Sequence, residues 1–234
     1  MASKLVYGYW NTRGRGQQIR FLLEYVEASY EEKIYHFNNP DEWFQKDKKT
    51  LKPFPNLPYI IDGDFYLSEH DSVIKYIVKK HPKYQELIGV GKGPNDEFVI
   101  DQLISVINDL RQTIRDFYFN PKILEIRKDV LPNTHPKFNQ LIEFKGKNTF
   151  LLPYLTIADF KLVEVLLYYK CLDEELFNTH LSVFEPYIQS FYSLPRISEY
   201  VKTDTYRSYS EFFPIQKTTV TGQEFLEKFN KQFV

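Results

Sequence analysis

Apolar and polar positions in the first eighty residues alternate between short extended runs and helical stripes. Leu5 to Tyr9 reads as a strand, closed by Asn11-Thr12-Arg13-Gly14-Arg15-Gly16, whose glycines permit a tight turn. From Gln17 to Val26, the apolar residues Ile19, Leu22, Leu23 and Val26 recur at three- and four-residue steps, one face of a helix. Tyr30 to Phe37 predicts a second strand, and a polar stretch anchored by Trp43 and Phe44 runs from Asn38 to Lys52. Tyr59-Ile60-Ile61 predicts a third strand, Asp62-Gly63 a hairpin turn, and Phe65-Tyr66-Leu67 the returning strand. Ser68 and Asp71 have capping-box spacing, opening a helix through Val73, Ile74, Ile77 and Val78 to His81-Pro82.

The order β-α-β, polar crossover, β-β-α describes a small mixed sheet with helices outside, the thioredoxin-like plan. Residues 1–85 form this domain, and residues 86–94, with the Gly/Pro cluster Gly89-Val90-Gly91-Lys92-Gly93-Pro94, form the linker. Residues 95–234 read as all-helical. Phe98, Leu103, Ile107, Leu110, Ile114 and Phe117 mark one long amphipathic helix. Further helical patterns occupy Phe138 to Phe144, Asp159 to Tyr168, Phe184 to Phe191 and Ile197 to Val201. Thr156 and Asp159 form a second capping box, read as structural. The fold class is therefore α/β followed by all-α.

Charge narrows the partners. Thirty basic residues against 31 acidic ones leave a net charge of −1, which gives no broad field for nucleic acid or an anionic membrane. The amino terminus lacks the apolar core of a signal peptide, and no apolar run approaches the roughly 20 residues that span a bilayer. The single cysteine, Cys171, ends an apolar helical run and reads as a packed, inert thiol in a reducing compartment. Together these points place the protein in the cytoplasm.

Two stretches carry chemistry. Tyr9 sits at a strand end before a helix start, where a phenol O–H aimed at a thiol would favour the thiolate. The alternative is a strand-end tyrosine packed on Trp10. Leu57-Pro58 precedes a strand, where a cis bond would turn the Leu57 N–H and C=O towards an added peptide strand. The other X-Pro bonds are expected to be trans. Lys46-Asp47-Lys48-Lys49 could attract a carboxylate or be a solvated face, and Trp43 carries an indole N–H that can donate to one. Glu69 and His70 open a helix whose amides attract an anion, while Glu69 suits an ammonium. His36, His70, His81, His135 and His180 have no metal-ligand spacing, so no metal is assigned. Gly14-Arg15-Gly16 fits no phosphate-binding fingerprint, and no Cys-x-x-Cys is present, which weighs against disulfide exchange.

As a set, Tyr7-Gly8-Tyr9-Trp10-Asn11-Thr12-Arg13-Gly14, Ile19-Arg20-Phe21-Leu22-Leu23-Glu24-Tyr25 and Phe54-Pro55-Asn56-Leu57-Pro58-Tyr59-Ile60-Ile61-Asp62-Gly63 resemble the glutathione transferase family, most nearly its mu class. The helical half resembles it more loosely, through Phe119-Asn120-Pro121 and Thr156-Ile157-Ala158-Asp159-Phe160. The resemblance implies that Tyr9 hydrogen-bonds the glutathione sulfur and that Trp10, Trp43, Lys46, Asn56, Leu57, Pro58, Glu69 and His70 line the peptide site. It implies a homodimer in which Phe54 inserts into the partner and Asp109 reaches the neighbouring subunit's glutathione. It places Arg15 and Phe119 in the pocket for a small hydrophobic electrophile, with glutathione as cosubstrate and no cofactor. The chain departs from the mu pattern at Glu69-His70 (Gln-Ser), Arg15 (Leu), Asp47 (Lys) and Phe119 (Tyr). Two functions compete on this reading: conjugation of glutathione to electrophiles, and a ligand-binding or structural subunit that keeps the fold without turnover.

Overall fold

The computed structural model describes residues 4–118 and 122–209. The first half contains β1 (Leu5–Trp10), α1 (Gly16–Tyr25), β2 (Tyr30–Tyr35), a π-helical turn over Glu42–Asp47, α2 (Lys48–Thr50), β3 (Tyr59–Asp62), β4 (Phe65–Ser68) and α3 (His70–Lys80). The strands form one sheet in the order β2-β1-β3-β4. β1 runs parallel to β2, with Leu5 opposite Tyr30, and antiparallel to β3, with Tyr7 opposite Ile60. This is the expected thioredoxin-like mixed sheet.

Side chains alternate across β1. Tyr7 and Tyr9 point into the main core with Ile19, Leu22, Ile60 and Ile74. The opposite face holds a small aromatic cluster of Tyr35, Trp43 and Tyr59, bordered by Trp10 and Leu57. Gly8 lies under this cluster, and a Cβ there would stand 2.2 Å from the Tyr59 ring. The π-helical turn in the polar crossover thus owes its place to Trp43, which stacks on Tyr59 at 6.1 Å.

After a 3-10 segment (Pro82–Ile88) the chain is helical: α4 (Asp96–Tyr118), α5 (Ile123–Val130), α6 (His135–Lys145), α7 (Ile157–Leu172), α8 (Glu174–His180), α9 (Glu185–Tyr192), α10 (Pro195–Tyr200) and α11 (Asp204–Ser208). α7 is buried on nearly all faces and forms the axis of this half. Its start is held by Asp159, whose Oδ2 accepts from Thr156 N (2.7 Å) and Thr156 Oγ1 (2.9 Å). Oδ1 accepts from Leu151 N and the Tyr187 hydroxyl, each at 2.9 Å. The structural reading of Thr156 and Asp159 therefore holds.

Four local expectations fail for identifiable reasons. The hairpin loop is Gly63-Asp64, because Asp62 pairs with Phe65 inside the ladder. β2 stops at Tyr35, since Phe37 leaves the sheet to stack on Trp10 at 4.7 Å. Ser68 does not cap α3: its Oγ donates to the Phe54 carbonyl at 2.5 Å, and Glu69 takes the N-cap position. Lys52–Pro53 is cis as well as Leu57–Pro58. Cys171 is half-buried and in no disulfide. No helix among the described residues is long and apolar enough to cross a membrane.

Candidate functional site

Tyr9 occupies the carboxyl end of β1, is 5% exposed, and directs its hydroxyl at the start of α1. Its Oη accepts a hydrogen bond from the Arg15 amide at 3.2 Å. The phenolic proton is not consumed by that bond and can be donated elsewhere. Two glycines make the approach feasible. A Cβ on Gly16 would lie 2.2 Å from Tyr9 Cδ1, and one on Gly14, whose φ is +39°, would lie 3.1 Å from Oη. Arg20 supports the strand end from beneath: its guanidinium donates to the Thr12 and Trp10 carbonyls and pairs with Glu32 at 2.7 Å.

The loop before β3 supplies a second edge. Asn56 Nδ2 donates to Glu69 Oε1, and Asn56 Oδ1 accepts from Leu57 N, both at 2.9 Å. The Leu57 amide, expected to be open to a peptide, is thus held by its neighbour. Glu69 has φ +71°, a left-handed conformation that costs a non-glycine residue about 1–3 kcal/mol and persists where surrounding contacts impose it. That turn sets Glu69 beside Asn56 at the amino end of α3.

His70 opens α3 and is 4% exposed. Its Nδ1 lies 2.8 Å from Asp71 Oδ1. Asp71 also accepts from Lys161 of α7 and from Asn108 Nδ2 of α4, the latter at 2.8 Å. Burial pushes the Asp71 carboxyl up, but the His70 hydrogen bond and the Lys161 charge reverse this and hold it well below the carboxylate range. With Asp71 ionised, Nδ1 carries the imidazole proton and Nε2 is a bare acceptor, buried without a partner. Burial, then the Lys161 charge, lowers His70 to about 3, so it stays neutral. Burial likewise lowers Lys161 to about 8.

The remaining assigned residues are more dispersed. Trp10, Trp43 and Leu57 meet at the aromatic cluster, where Trp43 is buried and Trp10 half-buried, and Pro58 is buried beside them. Lys46 is exposed on the π-helical turn. Asp47 turns inward instead, paired with Lys33 and accepting from the Tyr35 hydroxyl, each at 2.5 Å. Asp109 lies on the surface of α4, 2.5 Å from Lys137 of its own chain. Phe54 is 79% exposed with φ +54°. Phe119 lies outside the described residues. No group of three or more His, Cys, Asp or Glu suited to a metal occurs among the described residues.

The comparisons with known proteins agree with this architecture. Residues 5–79 match the glutathione S-transferase N-terminal domain, and residues 108–204 match the glutathione S-transferase C-terminal domain. The chain belongs to the glutathione S-transferase family. It is 30% identical over 212 residues to glutathione S-transferase B of Cavia porcellus, covering 86% of this chain and 93% of that one. It is 28% identical to glutathione S-transferase Mu 1 of Bos taurus, covering 86% and 92%. Among solved structures, rat hPGDS complexed with a quinoline superposes with a TM-score of 0.70 at 22% identity, covering 85% of this chain and 96% of that one, a likeness of fold.

Several residues of this transferase-family chain escaped the sequence reading. Asn108, Arg111 and Arg115 follow at three- and four-residue steps beside the apolar stripe of α4, and Lys161 and Glu164 interrupt an otherwise apolar α7. A charged residue inside an all-apolar helical run is the signal that would have found them. Arg13 meets Glu164 at 2.6 Å, both buried.

Proposed function

We propose that this chain conjugates glutathione to small hydrophobic electrophiles, with Tyr9 donating its hydroxyl proton in a hydrogen bond to the glutathione sulfur. The observation that carries this reading is the Arg15 amide on Tyr9 Oη, which orients the phenol and leaves its proton available. Hydrogen bonding to the charged form favours the thiolate, the nucleophilic species. The thiol proton leaves to solvent. The sulfur then attacks the electrophilic carbon, and with an aryl halide the carbon–halogen bond breaks as halide departs with its electron pair.

The peptide lies along Leu57 and Pro58, between Asn56, Glu69 and His70 at one end and Trp10, Trp43 and Lys46 at the other. Glu69, exposed at the amino end of α3, suits the γ-glutamyl ammonium as a carboxylate, with His70 buried behind it. Lys46 and the Trp43 indole suit the glycyl carboxylate. Arg15, at the start of α1 beside Tyr9, borders the electrophile pocket. The working form is a cytosolic homodimer, joined through the exposed Phe54, in which Asp109 exchanges Lys137 for the neighbouring subunit's glutathione.

Isothermal titration with glutathione and turnover of 1-chloro-2,4-dinitrobenzene test the reading. Heat of binding with turnover is expected. Binding without turnover would favour a ligand-carrying subunit, and no heat at millimolar glutathione would reject both.

A further inference from the structure

Resting on that reading, the polar crossover between β2 and β3 holds a residue that shapes the glycine end of the peptide site. The crossover passes through a π-helical turn at Glu42–Asp47, a rare form that recurs at functional sites. Two side chains anchor this turn at opposite ends. Trp43, buried near its start, stacks on Tyr59 of β3 at 6.1 Å and meets Tyr35 of β2 edge-on at 5.3 Å. Asp47, its last residue, faces the same two strands. Its Oδ2 accepts from the Tyr35 hydroxyl and pairs with Lys33 Nζ of β2, each at 2.5 Å. The Tyr35 and Tyr59 hydroxyls lie 2.8 Å apart. The ring that packs on Trp43 at one end of the turn thus carries the hydroxyl that binds Asp47 at the other. Lys46 lies between the two anchors and is exposed.

By charge alone, a carboxylate beside the landing place of another carboxylate weakens binding. The Asp47 side chain is 21% exposed and turned towards β2, whereas Lys46, Lys48 and Lys49 around it are exposed. Its bonds to an ammonium and a phenol are charge-assisted, roughly twice as strong as neutral ones. Fixing the backbone that carries a long side chain removes part of the ordering cost of binding. We propose that Asp47 is a positioning residue for glutathione: by tying the π-helical turn to β2, it holds Trp43 and Lys46 in place for the glycyl carboxylate. It does so without touching the peptide.

Asp47→Lys separates positioning from simple charge, because a cation at this place would tighten glutathione if charge alone mattered. Positioning predicts the opposite: KM for glutathione should rise about three- to tenfold, the loss of one or two hydrogen bonds, while kcat at saturation stays unchanged. Tyr35→Phe removes the hydroxyl without altering charge and should shift KM in the same direction. Asp47→Asn keeps an acceptor for Tyr35 and should show a smaller rise. The second thiol in the test is γ-glutamylcysteine, which lacks the glycine, with 1-chloro-2,4-dinitrobenzene as electrophile throughout. Its KM should be the same in the parent and the three variants, a split that a merely structural loss does not produce. A lower KM for glutathione in Asp47→Lys, or equal rises for the two thiols, would overturn the proposal while leaving the transferase reading intact. Failure of glutathione to bind the parent protein would instead overturn that earlier reading.

Discussion

The Arg15 amide donates to the Tyr9 hydroxyl across 3.2 Å, and this contact exists only because residues 14 and 16 lack a Cβ. The phenol is thereby fixed as an acceptor on one side and a donor on the other. A hydrogen bond to an ionised group contributes about 1.5–3 kcal/mol, so losing it should cost roughly ten- to hundredfold in rate. Tyr9→Phe is expected to raise the pKa of bound glutathione by about one to two units and to lower kcat/KM at pH 7 accordingly. Thiolate absorbance in the binary complex and the pH–rate profile measure both. An unchanged profile would remove Tyr9 from the chemistry.

Gly16→Ala probes the same contact from the packing side. The new methyl would stand 2.2 Å from Tyr9 Cδ1, and overpacking of this kind costs about 1–3 kcal/mol. Stability should fall by that amount in urea titration, and kcat/KM should fall with it because the ring must shift. Full activity at lowered stability would mean that the ring position tolerates displacement.

Much of the fold was readable along the chain because its signals are local. Short strands, a glycine turn and three- and four-residue apolar steps placed β1, α1, β3 and α3 within a few residues. What escaped is governed by contacts between distant segments. Ser68 has the right chemistry for an N-cap, yet the Phe54 carbonyl, fourteen residues away, claims its hydroxyl. Asp71 has helix-start character, but Lys161, ninety residues on, and Asn108 recruit it to join the two halves. Asp47 sits in a run of lysines and still serves Lys33 and Tyr35 rather than solvent. Tyr9 and Leu57-Pro58 were legible as candidates, since strand ends and X-Pro steps are visible in sequence. The Arg13–Glu164 pair was not, because its members lie 151 residues apart and meet only once α7 packs against α1.

Two of the ion pairs that tie the helical half to the first, Arg13–Glu164 and Lys161–Asp71, differ in burial, and burial sets their different weights. Arg13 and Glu164 are 5% and 8% exposed, so Arg13→Met leaves a buried carboxylate without its cation. That loss is expected to cost about 3–5 kcal/mol, much of it recovered when Glu164→Leu is added. Lys161 is 1% exposed, but Asp71 is 40% exposed and keeps His70 and Asn108. Lys161→Met should therefore cost only about 1–2 kcal/mol. Urea titration of the three variants checks the order, and equal losses for the two single variants would contradict it.

His70 gives the fold a defined acid response. Its folded value of about 3 lies beneath the ordinary 6.5, so in that interval the unfolded chain holds a proton that the folded one does not. Stability from this group is complete above pH 6.5 and falls as pH drops towards 3, by at most about 1.4 kcal/mol per unit. Asp159 acts oppositely. Burial raises it to about 6, so the folded state takes up a proton first and gains stability between pH 6 and 3.8. The two partly cancel in the parent protein, and only a difference isolates His70. The His70→Gln variant is expected to lose its stability less steeply than the parent between pH 6.5 and 4, and identical slopes would place a proton on the native imidazole.

Phe54 presents its ring to water at 79% exposure while its backbone, at φ +54°, is set by the turn between two prolines. In the proposed dimer this ring is the one that the partner covers. In a twofold dimer each ring would be buried once per subunit, so every loss counts twice. Burying a phenyl ring contributes about 1.5–3 kcal/mol, hence about 3–6 kcal/mol for the pair, or a dimer dissociation constant weaker by roughly two to four decades in Phe54→Ala. Sedimentation velocity across the micromolar range is expected to show a dimer for the parent and a shift towards monomer for the variant. Because alanine must adopt the same positive φ, backbone strain is common to both chains and the shift reports the ring itself. A parent protein that sediments as a monomer would remove both the dimer and the role of Asp109 at a neighbouring site.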